Sequence, residues 1–371
     1  MKLLLINSIG RTKWGGGEKW MIMAAKNLSA KGHDVSIVCT PNSIVEMESK
    51  AEGIRVFPIK INSDFSLSGY VKLKRLIVSK GIDAVIGCQN RDARIAGFIS
   101  KYHAKNKVLV ISRQGVQLMH NSIKYKLTFI PFCDGILTNT ISIKKEYDSY
   151  GWWRDEFVKV IYNGVEALEN NSPPYNYAQH LPKDEKNPVI ILSTGRITKQ
   201  KGFKYLISAA QKIVEEQSNV YFFIAGKGKL ENELKSQIHK LKLDKHVFLL
   251  GFQKDIPSLL KGASLFVLPS LYEGMPNSVM EAMAYGLPVI STNVNGVSEL
   301  MQDSIHGNII PSSNTESIVN SIQNMIEKDN FQEIGELGKK HVEKHFTVQK
   351  MADNLEAYLI SGCDRKQKSN N

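Results

Sequence analysis

Two glutamates eight positions apart, Glu273 and Glu281, lie in a stretch of sequence that could bind a phosphorylated ligand. An apolar, strand-like run precedes them, and Gly286 followed by Pro288 predicts where a helix between them ends. Pro276 suits the first turn of that helix, which we expect to be about three turns long. The backbone N–H groups at the start of such a helix lie at the positive end of its dipole, so a phosphate fits there.

Glu281 is a charged residue in an otherwise small and apolar run, residues 279–284. A buried carboxylate is destabilising by several kcal/mol unless it is paired, and a sugar diol would pair with it. Glu273 precedes the helix, so the two carboxylates could bracket a sugar whose phosphates rest on the helix start. An arbitrary pair of glutamates is more often solvated. The residues around this pair favour a nucleotide sugar instead.

Residues 273–290, EGMPNSVMEAMAYGLPVI, resemble the donor-site motif of the retaining glycosyltransferases of family 4. The resemblance implies the α/β GT-B fold, in which two Rossmann-like, doubly wound parallel-sheet domains face each other across a cleft and a C-terminal helix crosses back to the first domain. It also implies that Glu273 contacts the donor hexose and Glu281 the ribose of the nucleotide. The residues between them that it assigns to donor binding are Gly274, Met275, Pro276, Asn277, Ser278 and Val279.

A second motif, GRITKQKGF at residues 195–203, follows a strand-like run and opens the next helix. Arg196 can bind phosphate oxygens through paired N–H groups, and Lys201 adds a compact positive charge, so both suit a diphosphate. The segment resembles the family's second donor motif, which implies that these two residues bind the diphosphate and stabilise it as a leaving group. Gly195 lies in the same loop. Gly226, in a later turn, either passes near the nucleotide or is structural.

In the first half of the chain, a glycine-rich turn, WGGGEKW at residues 14–20, follows the first strand-like run. Glycines let the backbone approach a ligand closely. Their spacing here is not the dinucleotide fingerprint, which disfavours a nicotinamide enzyme. The turn resembles the first loop of family 4 enzymes, so Gly16 and Gly17 are expected near the donor diphosphate. Glu18 either orients an acceptor hydroxyl or caps the helix.

Polar residues also follow two further strand-like runs of the first half. Since parallel strands present their carboxyl ends at one edge of a sheet, Arg91, Asp92 and Arg113 are predicted to contact the acceptor. Many family members have a histidine near the last of these positions, where this chain has arginine. His120 lies seven residues further on and is either an acceptor contact or a plain surface residue.

The chain has 371 residues, 42% of them hydrophobic, which is enough for two domains with separate cores. Strand-like and helical segments alternate in both halves, which is typical of doubly wound α/β domains. The strand-like runs are LLLIN, HDVSIVCT, IRVFPI, DAVIGC, KVLVIS and DGILTN, then PVIILSTG, NVYFFIAG, HVFLLG, ASLFVLP, LPVIST and GNIIP. The helices predicted in the first half lie near residues 17–31, 68–80, 91–104, 121–130 and 140–149.

Composition shifts predict the domain boundaries. We expect an acceptor-binding domain at residues 1–168, a linker rich in Pro and Asn at 169–187, and a nucleotide-sugar-binding domain at 188–345. Residues 346–371 should form the C-terminal helix and a frayed tail.

The net charge of +12 lies wholly in the first part of the chain. Residues 1–165 contain 25 Lys and Arg against 13 Asp and Glu, and the remaining residues contain 23 of each. Such asymmetry indicates an anionic partner, either nucleic acid, an acidic lipid surface or a phosphorylated acceptor. Basic residues interleaved with apolar ones in helical segments favour an anionic membrane surface, and a solvated face is the alternative. These residues are Lys72, Lys74, Arg75, Lys80, Lys101, Lys105, Lys107, Lys124 and Lys126.

Neither a metal nor another cofactor is expected, because the matched donor region has no Asp-x-Asp cluster and the chain has no His or Cys pair at metal-binding spacing. The four cysteines are isolated in sequence. Apolar runs are too short for a signal-peptide core or a membrane span. We therefore expect a cytoplasmic protein, peripheral on the inner face of the cell membrane.

Together these features predict a retaining, metal-independent hexosyltransferase. It would move a hexose from a nucleoside diphosphate sugar, UDP-linked as is commonest in the family, to a hydroxyl of a glycan or lipid-linked acceptor in cell-surface polysaccharide or lipopolysaccharide synthesis. Two alternative functions would use the same donor site: that of a GT-B-type sugar-nucleotide epimerase and that of a non-catalytic sugar-nucleotide-binding protein. Nucleic acid is not an expected partner, because no recognised binding motif is present and the aromatic residues are not arrayed for base stacking.

Overall fold

Two parallel β-sheets, each with its own helices, organise the chain into two units. The first unit is Met1–Gly164 together with Val348–Asn371, and the second is Val165–Thr347. The computed structural model describes residues 1–116, 118–153, 156–166 and 172–370.

The first unit is a doubly wound α/β domain. Its strands are β1 (Lys2–Asn7), β2 (Asp34–Cys39), β3 (Arg55–Pro58), β4 (Ala84–Gly87), β5 (Leu109–Gln114), β6 (Gly135–Thr138) and β7 (Val158–Val160). Its helices include α1 (Gly16–Ala30), α2 (Ile44–Ala51), α3 (Leu67–Lys80), α4 (Asn90–His103), α5 (Ile123–Phe129) and α6 (Ile141–Asp148). The strands pair in the order β3-β2-β1-β4-β5-β6-β7. Strand order therefore reverses between β1 and β4, where the loops after parallel strands diverge and leave room for a ligand.

Strand β1 shows why its sequence is continuously apolar. Leu3 and Leu5 pack into the core on the face covered by α1, whereas Leu4 and Ile6 pack into the core that includes α3 and α4. Successive side chains of a strand point to opposite faces, so a strand covered on both faces needs apolar residues at every position.

The second unit repeats the architecture. Its strands are β8 (Val189–Thr194), β9 (Val220–Ala225), β10 (Val247–Gly251), β11 (Leu265–Leu268), β12 (Val289–Thr292) and β13 (Gly307–Ile310). Its helices are α7 (Phe203–Glu216), α8 (Glu231–Lys240), α9 (Ile256–Gly262), α10 (Asn277–Ala284), α11 (Val297–Leu300), α12 (Thr315–Lys328) and α13 (Phe331–His345) in the described residues. The strands pair in the order β10-β9-β8-β11-β12-β13, so the reversal lies between β8 and β11.

The last helix, α14 (Val348–Asn370), belongs to the first unit. Leu355 and Leu359 are fully buried in the core that α1 also covers. At the surface, Lys31, the C-cap of α1, forms ion pairs with Glu356 at 2.8 Å and with Asp353 at 2.6 Å. The predicted return of the C-terminal helix to the first domain is confirmed.

The predicted strands and the predicted helices of the first half are present. In the described part of that half, the sequence did not predict strand β7 or helix α2. Helix α2 begins after Ser43, whose hydroxyl accepts a hydrogen bond from Glu46 N at 3.2 Å. The Glu46 carboxylate in turn accepts one from Asn42 N at 2.7 Å. Ser followed three residues later by Glu is the signature of a capping box and would have identified this helix.

The segment predicted as a linker, residues 169–187, is described from residue 172 onward and packs within the second unit. Tyr177 is buried, and its hydroxyl donates to the Leu259 carbonyl at 2.9 Å. Ser258 donates to the Pro173 carbonyl at the same distance. This part of the segment is therefore folded against the second unit, whereas residues 167–171 lie outside the described residues.

Among the described stretches, no helix combines the length and the apolar character that crossing a bilayer requires.

Candidate active site

Three loops of the second unit meet at the carboxyl ends of its strands. A Cβ on Gly226, in the loop after β9, would lie 1.8 Å from the Gly195 carbonyl oxygen, in the loop after β8. A Cβ on Gly202 would lie 2.0 Å from the carbonyl oxygen of Pro269, in the loop after β11. Only glycine allows such approaches. The motif that begins at Gly195 is therefore held against the loop that carries Glu273.

Lys201 and Glu273 form an ion pair in this loop cluster. Lys201 Nζ lies 2.7 Å from Glu273 Oε1, and their side chains are only 16% and 11% exposed. The Ser270 hydroxyl donates to the same oxygen at 2.8 Å. Glu273 Oε2 accepts no hydrogen bond from a described residue. A carboxylate with one oxygen fixed by a cation and a hydroxyl can offer the other oxygen to a ligand.

The backbone behind this ion pair is itself fixed. Thr292, at the end of β12, donates its hydroxyl to the Ser270 carbonyl at 2.6 Å. The Lys201 side chain crosses Gly195 so closely that a Cβ there would lie 2.9 Å from its Cε. Substitution at Gly195 would displace the lysine.

Arg196 differs from Lys201 in its surroundings. Its side chain is exposed, and its guanidinium makes no ion pair or hydrogen bond with a described residue. Sequence analysis gave both cations the same role on a diphosphate, but one of them is already paired with Glu273. Lys201 keeps further N–H groups for a second oxygen, since an ammonium has more donors than the ion pair uses.

Helix α10 is shorter than its sequence predicts. It has eight residues rather than about three turns, and Pro276 is its N-cap, with φ −79° and ψ 93°, rather than part of its first turn. Its end is set by Gly286, which has φ +73° and lies just beyond the last turn. Ser278, in the first turn, has a buried hydroxyl with no hydrogen-bond partner among the described residues. This adds an unused polar group to the helix start.

The predicted donor residues of this segment fall into two groups. Met275 and Val279 are buried, so they could contact a ligand only through the backbone. Glu281 is partly exposed rather than enclosed by the apolar residues around it, which corrects the expectation of a buried carboxylate. Gly274 is buried, and Asn277 is partly exposed at the first position of α10.

In the first unit, Glu18 and Arg113 are buried at the carboxyl end of the sheet. Glu18 accepts a hydrogen bond from Asn7 Nδ2 at 3.1 Å, so its side chain is fixed to the end of β1. The guanidinium carbon of Arg113 lies 4.2 Å from the centre of the Trp20 ring. Burial lowers the pKa of Arg113, and the negative charge of Glu18 opposes that shift. A Cβ on Gly17 would lie 3.5 Å from Arg113 Nη1.

Asp92 anchors the loop after β1. Its carboxyl group is fully buried, Oδ2 accepts a hydrogen bond from Ser8 N at 3.1 Å, and Oδ1 has no partner among the described residues. Burial raises the pKa of Asp92 to about 6. The predicted acceptor contact is thus a buried group that holds the loop, whereas its neighbour Arg91 is partly exposed.

His120 is exposed in the loop between β5 and α5. Its side chain makes no hydrogen bond with a described residue. Gly16 is the first residue of α1 and is exposed.

A cavity of about 480 Å³ in the first unit is lined by residues that sequence analysis largely missed. It includes Arg91, which was predicted, together with Lys13, Asp64 and Arg94, which were not. These residues come from the loop after β1, the segment before α3 and the start of α4. No local signal links three segments so far apart in sequence.

The described residues contain no group of three or more His, Cys, Asp or Glu side chains that could hold a metal ion.

Comparison with known proteins agrees with the resemblance of the motifs. The family model for Glycosyltransferase Family 4 matches residues 14–167, and the model for Glycosyl transferases group 1 matches residues 177–341. The two matches together cover most of the chain.

Individual relatives are named as glycosyltransferases. The chain is 32% identical over 209 residues to the UDP-Gal:alpha-D-GlcNAc-diphosphoundecaprenol alpha-1,3-galactosyltransferase of Escherichia coli, covering 55% of this chain and 54% of that protein. It is 26% identical over 350 residues to the capsular polysaccharide biosynthesis glycosyltransferase CapM of Staphylococcus aureus, covering 89% of this chain and 90% of that protein. The chain spans about half the length of the first curated relatives it matches.

Among solved structures, Anabaena Alr3699/HepE in complex with UDP is similar, with a TM-score of 0.83, 20% identity, and coverage of 97% of this chain and 100% of that one. At that identity the likeness concerns the fold. With both family models matching and the two-sheet architecture observed, the chain belongs to glycosyltransferase family 4 and has the GT-B fold.

Proposed function

We propose that the protein is a retaining glycosyltransferase that moves a hexose from a UDP-linked sugar to a hydroxyl group of a glycan or lipid-linked acceptor. The observation that carries this proposal is the partly buried ion pair of Lys201 and Glu273, with Ser270 on the same carboxylate oxygen and Arg196 in the same loop as Lys201. A relative named for a UDP-galactose donor and a similar structure with bound UDP support the donor class.

The two cations would act on the leaving group. Breaking the bond between sugar and diphosphate leaves negative charge on the diphosphate. Arg196 and Lys201 would stabilise that charge, with the N–H groups at the start of α10, since fixed donors need no reorganisation during the reaction. We propose that these groups suffice without a metal ion.

Glu273 would hold the hexose. Its Oε1 is fixed by Lys201 and Ser270, so Oε2 would accept a hydrogen bond from a sugar hydroxyl and orient the ring above the diphosphate. Glu281 would bind the ribose. No residue is assigned as a nucleophile beneath the sugar, so we favour attack of the acceptor on the face that the leaving group vacates, which retains the anomeric configuration.

We propose that the first unit binds the acceptor. Glu18 would orient the acceptor hydroxyl, with the positive charge of Arg113 close by. Both side chains are buried and fixed by contacts within the unit, which is the preorganisation that a site for a reacting group needs.

An anionic membrane surface is the proposed location of the acceptor. Helix α4 packs between α3 and α5, and their outer faces expose large apolar side chains. Phe65 is 95% exposed just before α3, and Ile123 and Leu127 are 77% and 67% exposed one turn apart on α5. Exposed basic residues flank them: Lys72, Arg75, Lys101, Lys105, Lys124 and Lys126. Apolar insertion with basic flanks is the physical basis of binding at a lipid interface.

The proposal is tested with a panel of nucleotide sugars. A bound donor raises the melting temperature, so we expect UDP-sugars to stabilise the wild type, with and without EDTA. Arg196→Gln should abolish the stabilisation. The matched control, Lys199→Gln, removes the same charge from an exposed position in the same loop and should keep it.

The donor identified in this way is then incubated with a glycan or lipid-linked acceptor, and the anomeric configuration of the product is read by NMR. A product with retained configuration supports the proposal. A rearranged sugar nucleotide formed from donor alone would identify an epimerase instead. Donor binding with neither reaction would identify a sugar-nucleotide-binding protein, and no donor binding at all would refute the proposal.

A further inference from the structure

The cavity of about 480 Å³ in the first unit has the size of a site for a small polar ligand. Its walls are the loop after β1, residues 63 and 64 before α3, and the first turns of α4. Most of its lining is polar, with Ile9 and Leu118 as the larger apolar contributions. Such a lining favours a hydrophilic ligand over a lipid chain.

The walls of this cavity are fixed in place. Arg94 forms two parallel hydrogen bonds with Asp64, both 2.8 Å long, and so ties α4 to the segment before α3. Asn90 donates to the Leu118 carbonyl at 3.0 Å and accepts from Gln114 at 3.1 Å. A ligand would meet a preformed site and would lose little free energy to ordering it.

Arg91 is the most strongly positioned cation of the lining. Its Nε donates to the Ser8 hydroxyl at 2.6 Å, Nη1 donates to the Asn62 carbonyl at 3.0 Å, and Nη2 donates to the Ser8 carbonyl. All three acceptors are neutral, so its positive charge is not cancelled by a direct partner. The guanidinium keeps further N–H groups for a ligand oxygen.

The charge of the cavity wall is positive. Arg94 is neutralised by Asp64, but Arg91 and Lys13 pair with no described carboxylate. The buried carboxyl group of Asp92, bonded to Ser8 N, does not line the cavity, although the positive charge of Arg91 acts on it and opposes the rise of its pKa. Two cations that form no ion pair, on a polar wall, are features that bind phosphate.

From this geometry we infer that the cavity binds a phosphate-bearing sugar of the acceptor substrate. Arg91 and Lys13 hold the phosphate group, and Gln89 and Ser63 face the sugar hydroxyls. The assignment of the ligand as acceptor rests on the proposed function. The charges and the cavity themselves do not depend on it.

Glucose 1-phosphate is the probe, titrated calorimetrically into the full chain with UDP at saturation so that the second unit cannot bind it. Lys13→Gln should weaken binding about tenfold, as expected for loss of one charge-assisted hydrogen bond. Arg91→Lys, which keeps the charge but loses the planar fork, should also weaken it. The matched control Lys159→Gln removes an exposed charge of the same unit outside the cavity and should bind like wild type.

Three outcomes would overturn the inference. Equal affinity of wild type and Lys13→Gln for glucose 1-phosphate would show that the phosphate group does not bind in this cavity. Equal binding of the uncharged methyl glucoside would show that charge is not recognised, and inorganic phosphate binding as tightly as glucose 1-phosphate would show that the sugar is not. Circular dichroism of each variant verifies that a lost affinity is not a lost fold.

The proposed function is judged by a separate readout. A wild type that binds UDP and transfers sugar but does not bind glucose 1-phosphate refutes this inference alone. A wild type that binds glucose 1-phosphate in a Lys13-dependent manner but never binds a nucleotide sugar supports the cavity and refutes the proposed function.

Discussion

At the scale of single residues, the proposed chemistry would depend on which oxygen of Glu273 is engaged. Lys201 and Ser270 both bind Oε1, so the carboxylate is held in one orientation with Oε2 open to a ligand. The sequence predicts a donor site at Glu273, Lys201 and Arg196 because their motifs are local. It could not reveal the pairing of Lys201 with Glu273, because that contact joins loops after two different strands.

Glu273→Gln tests this role. The amide keeps the size of the side chain but loses the charge that fixes Lys201, so we expect transfer to fall by about 10²–10³-fold. UDP binding should fall less than transfer, because Arg196 and the start of α10 keep their proposed diphosphate contacts even where Lys201 is no longer fixed. Steady-state kinetics and calorimetry with UDP measure the two effects.

The control is Glu233→Gln, at an exposed position of α8. Its transfer rate should match that of the wild type. An unchanged transfer rate for Glu273→Gln would show that this residue has no role in the reaction.

The buried carboxyl group of Asp92 makes the stability of the fold depend on pH. Burial raises its pKa from 3.8 to about 6, so the folded chain binds this proton more tightly than the unfolded chain. Its contribution to stability is therefore greatest below pH 3.8 and is lost as the pH rises towards 6. The full effect is at most about 3 kcal/mol.

Asp92→Asn should remove this dependence. We expect the difference in unfolding free energy between wild type and variant to shift in favour of the wild type as the pH falls from about 6.5 to 4. Urea denaturation at several pH values measures it. A difference that stays constant over that range would mean that Asp92 does not titrate there.

At the scale of elements, the pattern of apolar runs predicted both sheets because strands covered on two faces are continuously apolar. Helix ends were less predictable. Helix α10 is only eight residues long, since the extended Pro276 and the left-handed Gly286 limit it from both sides. Helix α2 was missed although Ser43 and Glu46 carry its capping signal.

The packing of α13 on α10 gives a test of how α10 is supported. A Cβ on Gly335 of α13 would lie 1.8 Å from the Gly286 carbonyl oxygen, so Gly335→Ala must push the two helices apart. We expect a loss of about 2–4 kcal/mol in unfolding free energy, measured by chemical denaturation.

Gly338→Ala on the same helix is the matched control. Its added Cβ would lie 3.6 Å from the nearest Met283 atom, an ordinary contact, so alanine should be neutral or stabilising by about 0.5–1 kcal/mol. Equal effects of the two substitutions would contradict this account of the packing.

At the scale of the whole molecule, the sequence predicted the division into two α/β units and the return of the last helix. Strand-like and helical segments alternate in both halves of the sequence, so two domains could be recognised. It did not predict the cavity of the first unit, whose lining residues Lys13, Asp64 and Arg94 come from three separate segments. Charge asymmetry indicated an anionic partner for this half, and the structure adds the exposed apolar side chains around α3 and α5.

The basic surface of α5 can be tested with vesicles. We expect the protein to sediment with phosphatidylserine-containing vesicles and not with phosphatidylcholine vesicles, and the binding to weaken with salt. The double substitution Lys124→Glu and Lys126→Glu should reduce binding at least about tenfold, since each basic residue near the surface contributes about 1 kcal/mol.

The control for that pair is Lys245→Glu with Lys254→Glu, two exposed positions of the second unit with the same change of charge. It should bind vesicles like wild type. Failure of the wild type to bind anionic vesicles at low salt would refute the proposal that the protein binds an anionic membrane surface.

We propose that the second unit holds a nucleotide sugar through contacts with Arg196, Lys201 and Glu273. A crystal structure of the protein with the donor selected from the thermal panel is the most direct test. We expect diphosphate oxygens within hydrogen-bonding distance of Arg196 and Lys201 and a hexose hydroxyl on Glu273 Oε2. A diphosphate bound elsewhere, or a hexose that does not touch Glu273, would contradict it.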